Sequence, residues 1–249
     1  HRRYNPLRDE WLLVSPHRAR RPWLGQQDPP DRSERPVYDP TCYLCPGNKR
    51  VTGEVNPDYQ STYVFDNDFA ALLPDTPMPQ THDSLFHAAG AQGTSRVICF
   101  SPDHSKSLPE LELSEIEQVI ATWIAQTEDL GRHYAHVQIF ENRGSMMGAS
   151  NPHPHGQVWA TGYLPGEAAA EDRTQADWAE ANGHPMLLEL AAREAGGPRV
   201  VVEQDDWLAI VPFWAAWPFE TLLLPRFPIR RMTELKPDQS AGLAVALKE

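Results

Sequence analysis

The chain has few cysteines, no long uninterrupted apolar run and too few basic residues to balance its acidic ones. Three cysteines, an odd number, argue against a disulfide-stapled secreted domain and favour a reducing compartment, for which we expect the cytoplasm. Prolines and Glu220 interrupt the most apolar stretch, residues 207–225, which therefore predicts buried core and no membrane helix. A formal net charge of −12 excludes a protein that coats nucleic acid, because phosphate backbones require a basic surface.

Proline is abundant, and 24 prolines predict many fixed turns and few long helices. Arginines and prolines recur without sustained periodicity up to about residue 40, which predicts an extended basic arm. The chain begins without methionine and ends inside a predicted helix, so we expect a fragment of a longer protein.

Hydrophobic periodicity predicts alternating strands and helices. A helix is expected at residues 111–130, with Ser114 as its N-cap and Glu117 completing a capping box. Residues 166–197 are expected to form a helical connector in two pieces, separated at 182–185. Strands are predicted at residues 62–73, 95–100, 135–141 and 157–161.

Three later segments echo earlier ones in the same order, which indicates an internal repeat. Residues 201–209, 222–225 and 232–247 echo residues 63–71, 98–102 and 108–124. We therefore predict an α+β duplication in which the second copy is incomplete, its last strand falling beyond Glu249. The predicted parts are a first domain at 1–165, a connector at 166–197 and a partial second domain at 198–249.

Two histidines lie in the segment Asn151-Pro-His-Pro-His-Gly-Gln157, which opens a predicted strand. We expect the side chains of His153 and His155 to point to opposite faces, so that one serves a structural site and the other meets substrate. A neutral imidazole attacks phosphorus well, provided that its second ring nitrogen donates to a fixed acceptor. Gly156 would let backbone or phosphate come close, and the Gln157 amide could bond a phosphoryl oxygen. A surface Pro-His turn is the alternative.

Cys42-Tyr-Leu-Cys45, followed by Pro46 and Gly47, has the spacing of a zinc knuckle. A redox dithiol is the main alternative, although no thioredoxin-like βαβ pattern surrounds the pair. Two further ligands are needed for a tetrahedral zinc site. The candidates are His104, in a turn after a predicted strand, and His153.

Two other features could bind phosphate. Arg18 and Arg21 could hold a diphosphate through bidentate guanidinium bonds, or they could only supply solubilising charge. The glycine-rich loop at residues 142–150 could cradle phosphate with its backbone N–H groups, or it could be a plain connection.

Taken together, these segments resemble the class I galactose-1-phosphate uridylyltransferase family of the histidine-triad superfamily. The resemblance covers nearly the whole chain, and the histidine segment is its most specific part. The segments that carry it are Arg2-Arg-Tyr-Asn-Pro-Leu7, Ser15-Pro-His-Arg18, Cys42-Tyr-Leu-Cys45, Thr94 to His104, Asn151 to Gln157 and Trp214-Ala-Ala-Trp-Pro-Phe-Glu220.

The resemblance implies duplicated histidine-triad-like domains and a ping-pong reaction. UMP passes from UDP-glucose to His155 and then to galactose 1-phosphate. Gln157 matches the glutamine that bonds the transferred phosphoryl group, where triad hydrolases carry histidine. Cys42, Cys45, His104 and His153 match the zinc ligands. The matched substrate contacts are Val51, Asn67, Asp68 and Asn142 for uridine or ribose, Ser150 for phosphate, and Arg18 and Arg21, which reach into the other subunit and so imply a homodimer.

Glu171 matches one glutamate of a second site, for iron or zinc, whose histidine partners would lie past the end of this chain. Two other functions remain alternatives at this stage. One is a histidine-triad nucleotide hydrolase or phosphorylase, and the other is a zinc-stabilised binding module without turnover.

Overall fold

The computed structural model describes residues 1–22, 35–79, 81 and 83–249, so the predicted basic arm lies partly outside the described residues. The chain forms two compact units, neither of them continuous in sequence. The first unit comprises the described part of His1–Glu34 together with Pro165–Ile229. The second comprises Arg35–Leu164 and Arg230–Glu249. The division at residues 165 and 197 remains a prediction.

The first unit combines a hairpin, two helices and a three-stranded antiparallel sheet. The elements are β1 (Arg2–Asn5), β2 (Glu10–Leu13), α2 (Gly166–Asn182), α3 (Met186–Glu194), β7 (Val200–Glu203), β8 (Trp207–Ile210) and β9 (Leu222–Pro225). The sheet has the order β7-β8-β9. All four residues of β8 are buried, and its side chains pack with Ala191 and Leu224 in one apolar core. The helical connector breaks where predicted, because Gly183 takes up a left-handed conformation with φ of 76° and ends α2.

The second unit is built on a four-stranded antiparallel sheet. The elements are β3 (Tyr63–Asp66), β4 (Gly93–Cys99), α1 (Leu113–Leu130), β5 (His136–Phe140), β6 (His155–Thr161) and α4 (Pro237–Lys248). The sheet has the order β3-β4-β6-β5. Helix α1 covers one face of this sheet, where Arg96 of β4 donates hydrogen bonds to Gln126 at 2.6 Å and to Asp129 at 2.8 Å. Helix α4 packs beside α1, and the Lys248 ammonium donates to the Leu111 carbonyl.

The strand register decides which side chains share the sheet face that α1 leaves free. Phe65 lies opposite Val97, Val97 opposite Gln157, and Cys99 opposite His155. Arg96, which contacts α1, alternates with Val97 along β4, so these paired residues point away from α1. The second unit therefore has a helical layer on one face and potential functional groups on the other.

The α+β class with mainly antiparallel sheets is confirmed. The two helices that the predicted repeat relates share one local feature. A 3-10 turn precedes each of them, at Leu108–Glu110 before α1 and at Met232–Glu234 before α4. The apolar stretch at 207–225 was expected to be buried core, and this holds for β8 but not for the segment between β8 and β9, where Trp217 and Phe219 are exposed. No described helix has the length and apolar character needed to cross a bilayer.

Two local predictions are wrong. The strand expected at 62–73 ends at Asp66, because Asn67 turns the chain by accepting a hydrogen bond from the Phe69 backbone N–H at 2.9 Å. The N-cap expected at Ser114 lies two residues past the observed N-cap of α1, which is Glu112. Helix α1 begins at Leu113 after Glu112, whose backbone N–H donates to the Glu115 carboxylate at 2.8 Å.

Candidate active site

Four buried side chains, Cys42, Cys45, His104 and His153, bring their ligand atoms within 4.8 Å of one another. The Cys45 Sγ lies 3.5 Å from His104 Nδ1 and 3.6 Å from His153 Nδ1, and the two Nδ1 atoms are 3.4 Å apart. A tetrahedral ion with metal–N bonds of about 2.0–2.1 Å and metal–S bonds of about 2.3 Å separates its ligand atoms by about 3.3–3.8 Å. We call these four residues the Cys2His2 cluster, and it could hold a metal ion.

A tight turn presents the two cysteines of the cluster. The Cys45 backbone N–H donates to the Cys42 carbonyl at 3.3 Å, and the Asn48 amide donates to the same carbonyl at 2.7 Å. The Leu44 N–H points at the Cys42 Sγ from 3.4 Å. N–H donors of this kind stabilise negative charge on sulfur, which a thiolate ligand carries.

Tyr59 and Asn151 support the cluster, although neither is among the site residues predicted from the sequence. The buried Tyr59 hydroxyl donates to the Leu44 carbonyl at 2.7 Å and accepts from His153 Nε2 at 3.0 Å. Because the hydroxyl proton is used, the His153 proton lies on Nε2, and the Nδ1 lone pair faces the cluster. The Asn151 amide donates to Cys42 Sγ at 3.4 Å, and its Oδ1 accepts from the His153 backbone N–H at 2.9 Å.

Burial sets the protonation of the cluster. It raises the pKa of the Cys45 thiol to about 11 and, with the charge of His104 adding to it, lowers the pKa of His153 to about 4. The pKa of His104 is also lowered, chiefly by burial. The imidazoles are therefore neutral and ready to bind a cation, whereas the thiols lose their protons when a cation binds.

His155 is the first residue of β6 and lies outside the cluster. Its Nδ1–H donates to the His153 carbonyl oxygen at 2.7 Å, which leaves the lone pair on Nε2. Burial lowers the pKa of His155, and this favours the neutral imidazole near pH 7. The ring therefore has the tautomer and the protonation state of a nucleophile.

The two histidines occupy separate places, but the expected reason, opposite faces of one strand, is wrong. Side chains two residues apart in a strand share a face, and His153 precedes β6. The stretch with Pro152 and Pro154, anchored by the Phe100 N–H on the Pro154 carbonyl at 2.9 Å, separates them instead.

Gly156 was expected to let backbone or phosphate come close, and the structure shows a close approach of backbone. A Cβ at that position would meet the Phe100 ring at 2.8 Å and the Phe140 carbonyl oxygen at 3.0 Å. The close approach is therefore made by neighbouring protein atoms within the sheet.

A pocket of about 280 Å³ opens beside His155. Strands β3, β4 and β6 contribute side chains from the sheet face that α1 leaves free, and loops supply the rest. Six residues that the sequence analysis singled out line it: Val51, Asn67, Asp68, Ser150, His155 and Gln157. Five more residues, which are not among those predicted from the sequence, complete the lining: Tyr43, Leu44, Phe65, Phe69 and Val97. We call this cavity the His155 pocket.

Four other predicted site residues lie elsewhere. Asn142 is exposed after β5 and is not part of the pocket lining. Arg18 and Arg21 are exposed residues of the first unit, at the 3-10 turn Pro16–Arg20 and directly after it. Glu171 lies on α2 in a separate cavity of the first unit, and burial, followed by the charge of Glu167, raises its pKa. Their functional roles remain predictions.

Two protein-family models match the chain. The model described as galactose-1-phosphate uridyl transferase, N-terminal domain, matches residues 1–165, and the corresponding C-terminal domain model matches residues 171–249. A galactose-1-phosphate uridylyltransferase of Haemophilus influenzae is 60% identical over 251 residues, covering 100% of this chain and 72% of that protein. The Rattus norvegicus galactose-1-phosphate uridylyltransferase is 49% identical, covering 100% of this chain and 66% of its own length.

Solved structures share the fold. A uridylyltransferase mutant superposes with a TM-score of 0.76 at 25% identity, covering 99% of this chain and 72% of that one. An ADP-glucose phosphorylase from Arabidopsis thaliana with bound ADP-glucose gives a TM-score of 0.76 at 23% identity, covering 100% of this chain and 75% of that one. The second likeness shows the fold alone.

Proposed function

The chain belongs to the galactose-1-phosphate uridylyltransferase family, and on that premise we propose that it transfers UMP from UDP-glucose to galactose 1-phosphate through a covalent UMP-histidine. The observation that carries the proposal is the 2.7 Å bond from His155 Nδ1 to the His153 carbonyl. This bond aims the reactive Nε2 lone pair of a half-buried imidazole that lines a pocket with Gln157.

The reaction has two half-reactions at the same phosphorus. His155 Nε2 attacks the α-phosphorus of UDP-glucose, the bond from that phosphorus to the bridging oxygen breaks, and glucose 1-phosphate leaves with the electron pair. A phosphate oxygen of galactose 1-phosphate then attacks, the P–N bond breaks, and UDP-galactose leaves. In the intermediate the imidazole is positively charged, and the His153 carbonyl stabilises the proton on Nδ1.

Gln157 is proposed to donate its amide to a phosphoryl oxygen in both half-reactions. It follows His155 by two residues on β6, and side chains at that spacing share a strand face. A neutral amide stabilises developing oxygen charge without giving up a proton. This favours attack by a sugar phosphate over proton-assisted attack by water.

The remaining substrate contacts follow the family resemblance. Val51, Asn67 and Asp68 are proposed to hold uracil and ribose, and Ser150 a phosphate, which is consistent with their places in the His155 pocket. Asn142 is proposed as a further nucleoside contact. Arg18 and Arg21 are proposed to serve the site of a second copy, so the working form is a homodimer.

We propose that the Cys2His2 cluster holds zinc. Four protein ligands complete a tetrahedron and leave no open position, so zinc there supplies structural order and no Lewis-acid chemistry. This order extends to the His155 ring, because His153 contributes its side chain to the cluster and its carbonyl to the hydrogen bond with His155. Glu171 is proposed as one ligand of a second site for iron or zinc.

The domain division at 1–165, 166–197 and 198–249 is part of the same proposal. The first family model ends at residue 165, which supports the first boundary, whereas the second begins at residue 171 and spans most of the proposed connector. The three cysteines support a reducing compartment, and we propose the cytoplasm.

Incubation of the protein with UDP-glucose labelled in its uridine separates this function from its alternatives. An acid-labile adduct that galactose 1-phosphate discharges supports uridylyl transfer. Release of UMP without any adduct would indicate a hydrolase, and discharge by inorganic phosphate in place of galactose 1-phosphate a phosphorylase. No adduct and no product would indicate a binding module without turnover.

A further inference from the structure

Arg50 lies behind the wall of the His155 pocket and contacts two residues that line it. Its guanidinium carbon is 4.3 Å from the centroid of the Phe65 ring, and its Nη1 is 3.3 Å from Asp68 Oδ1. The side chains of Arg50 and Asp68 are only 6% and 11% exposed. The buried cation is therefore paired with a carboxylate that faces the pocket.

We propose that Arg50 is a positioning residue, which fixes the Asp68 carboxylate as an acceptor for the ribose hydroxyls of a bound uridine nucleotide. The inference rests on the proposed function, because it assumes that the His155 pocket holds the nucleoside. Arg50 acts through Asp68, since it is not among the residues that line the pocket.

The contacts of Asp68 leave one carboxylate oxygen for a ligand. In the described part of the chain, Arg50 Nη1 and the Thr52 hydroxyl both approach Oδ1, each at 3.3 Å. A carboxylate has two acceptor oxygens, and two neighbouring hydroxyls of a ribose supply two donors. With Oδ1 held from the protein side, the orientation of the other oxygen, Oδ2, is fixed as well.

The Arg50 side chain is itself held on several sides. Its backbone N–H donates to the Glu54 carbonyl at 2.7 Å, and its guanidinium also pairs with the Glu54 carboxylate. The Phe65 ring below it stacks on Tyr63 with centroids 5.4 Å apart. The carboxylate of Asp68 therefore meets a charge that has little freedom to move.

A packing role alone does not account for this arginine. Within the described residues, the buried Nε and Nη1 atoms of Arg50 make no hydrogen bond, so the contact of Nη1 with Asp68 Oδ1 is an ion pair without hydrogen-bond geometry. Burying donors that make no hydrogen bond lowers stability, and apolar side chains would fill the same space without that cost. A charge kept at this position is explained by what it does to Asp68.

Calorimetric titration of the whole chain with UMP tests the proposal, and the ribose hydroxyls provide the discriminating probe. We expect Arg50→Met to weaken UMP binding about tenfold, which is the usual effect of losing one hydrogen bond between a hydroxyl group, here of the ribose, and a carboxylate, here of Asp68. Binding of 2′,3′-dideoxy-UMP, which has no ribose hydroxyls, should stay the same. Asp68→Asn should have the same selective effect, and the double variant should lose no more than Asp68→Asn alone.

Arg96→Met is the matched control, because Arg96 also pairs with acids, Asp66 and Asp129, but on the sheet face covered by α1. It should bind both nucleotides like the parent chain. Arg50→Lys keeps the charge and should recover part of the affinity for UMP, which provides a test if Arg50→Met does not fold.

Equal weakening for UMP and dideoxy-UMP, or unchanged UMP binding in a folded Arg50 variant, would overturn the positioning role. If the parent chain binds no UMP, the proposed function fails and the inference fails with it. Selective loss in Arg50→Met from a chain that forms no adduct on His155 would support the inference and overturn uridylyl transfer alone.

Discussion

The Nδ1 atom of His155 lies 2.7 Å from the backbone carbonyl oxygen of His153, whose own side chain is part of the Cys2His2 cluster. One residue thus joins the cluster to the imidazole that we propose as the nucleophile. Any change that loosens the His153 side chain should also disturb the orientation of the His155 ring. This relationship motivates the first prediction.

Tyr59→Phe removes the hydroxyl that accepts from His153 Nε2 at 3.0 Å. We expect zinc affinity to fall about 10–100-fold, the usual result of losing a hydrogen bond to a metal-bound histidine. Competition with a chromophoric chelator measures it. Tyr63→Phe, on the ring stacked against Tyr59 with centroids 5.1 Å apart, is the matched control and should leave the affinity unchanged. Equal affinities for all three proteins would contradict the assigned role.

Gln157→Leu removes the proposed phosphoryl donor and keeps a side chain of similar size. Loss of one donor to a developing oxyanion slows the step by about 10²–10³-fold, so adduct formation from UDP-glucose should slow by that amount. Rapid-quench measurement of the adduct gives the rate, and bound metal should be unchanged because Gln157 is not part of the cluster. A rate within a few-fold of the parent would mean that the amide does not contact the phosphoryl group.

Much of this site follows from local spacing and family resemblance. The CxxC turn, the histidine segment and the residues matched to nucleoside contacts all lie close together in sequence motifs, and the structure gathers ten of the fourteen predicted residues in the cluster or the His155 pocket. Tyr59 and Arg50 could not be predicted in this way. The role of Tyr59 depends on its contact with His153, and that of Arg50 on its contact with Asp68. Both contacts join residues that are far apart in the sequence, and no spacing rule predicts them.

Sequence rules for strands also gave two wrong predictions. Residues 67–73 are apolar enough to extend β3, but the Asn67 side chain bonds the backbone two residues on and ends the strand. Opposite faces for His153 and His155 do not follow from strand geometry, because side chains two residues apart in a strand share a face, and β6 begins only at His155. The α+β class was predictable because helical and strand periodicities extend over longer segments.

Gly156→Ala should destabilise the second unit. Its added methyl group would meet the Phe100 ring at 2.8 Å and the Phe140 carbonyl at 3.0 Å, and overpacking of this kind costs about 1–3 kcal/mol. Urea unfolding measures the change in free energy. Phe100→Leu in the same chain should recover part of the loss, and a double variant no more stable than Gly156→Ala would show that the clash lies elsewhere.

Acid should weaken the contact between α1 and its sheet. The hydrogen bond from Arg96, followed by its charge, lowers the pKa of Asp129 below its usual value of about 3.9. A carboxyl group with a lowered folded-state pKa stabilises the fold above its ordinary pKa and loses this contribution as pH falls through the lowered one. Urea midpoints measured between about pH 5 and pH 2 should fall less steeply in Asp129→Asn than in the parent. Equal slopes would contradict this coupling.

The most direct test of the central claim is to locate the adduct by peptide mapping after brief incubation with UDP-glucose and quenching at alkaline pH, where a phosphoramidate survives. We predict UMP on Nε2 of His155, no UMP on His153, and no adduct in His155→Asn with its metal content intact. UMP found on another residue, or an adduct that persists in His155→Asn, would contradict the account.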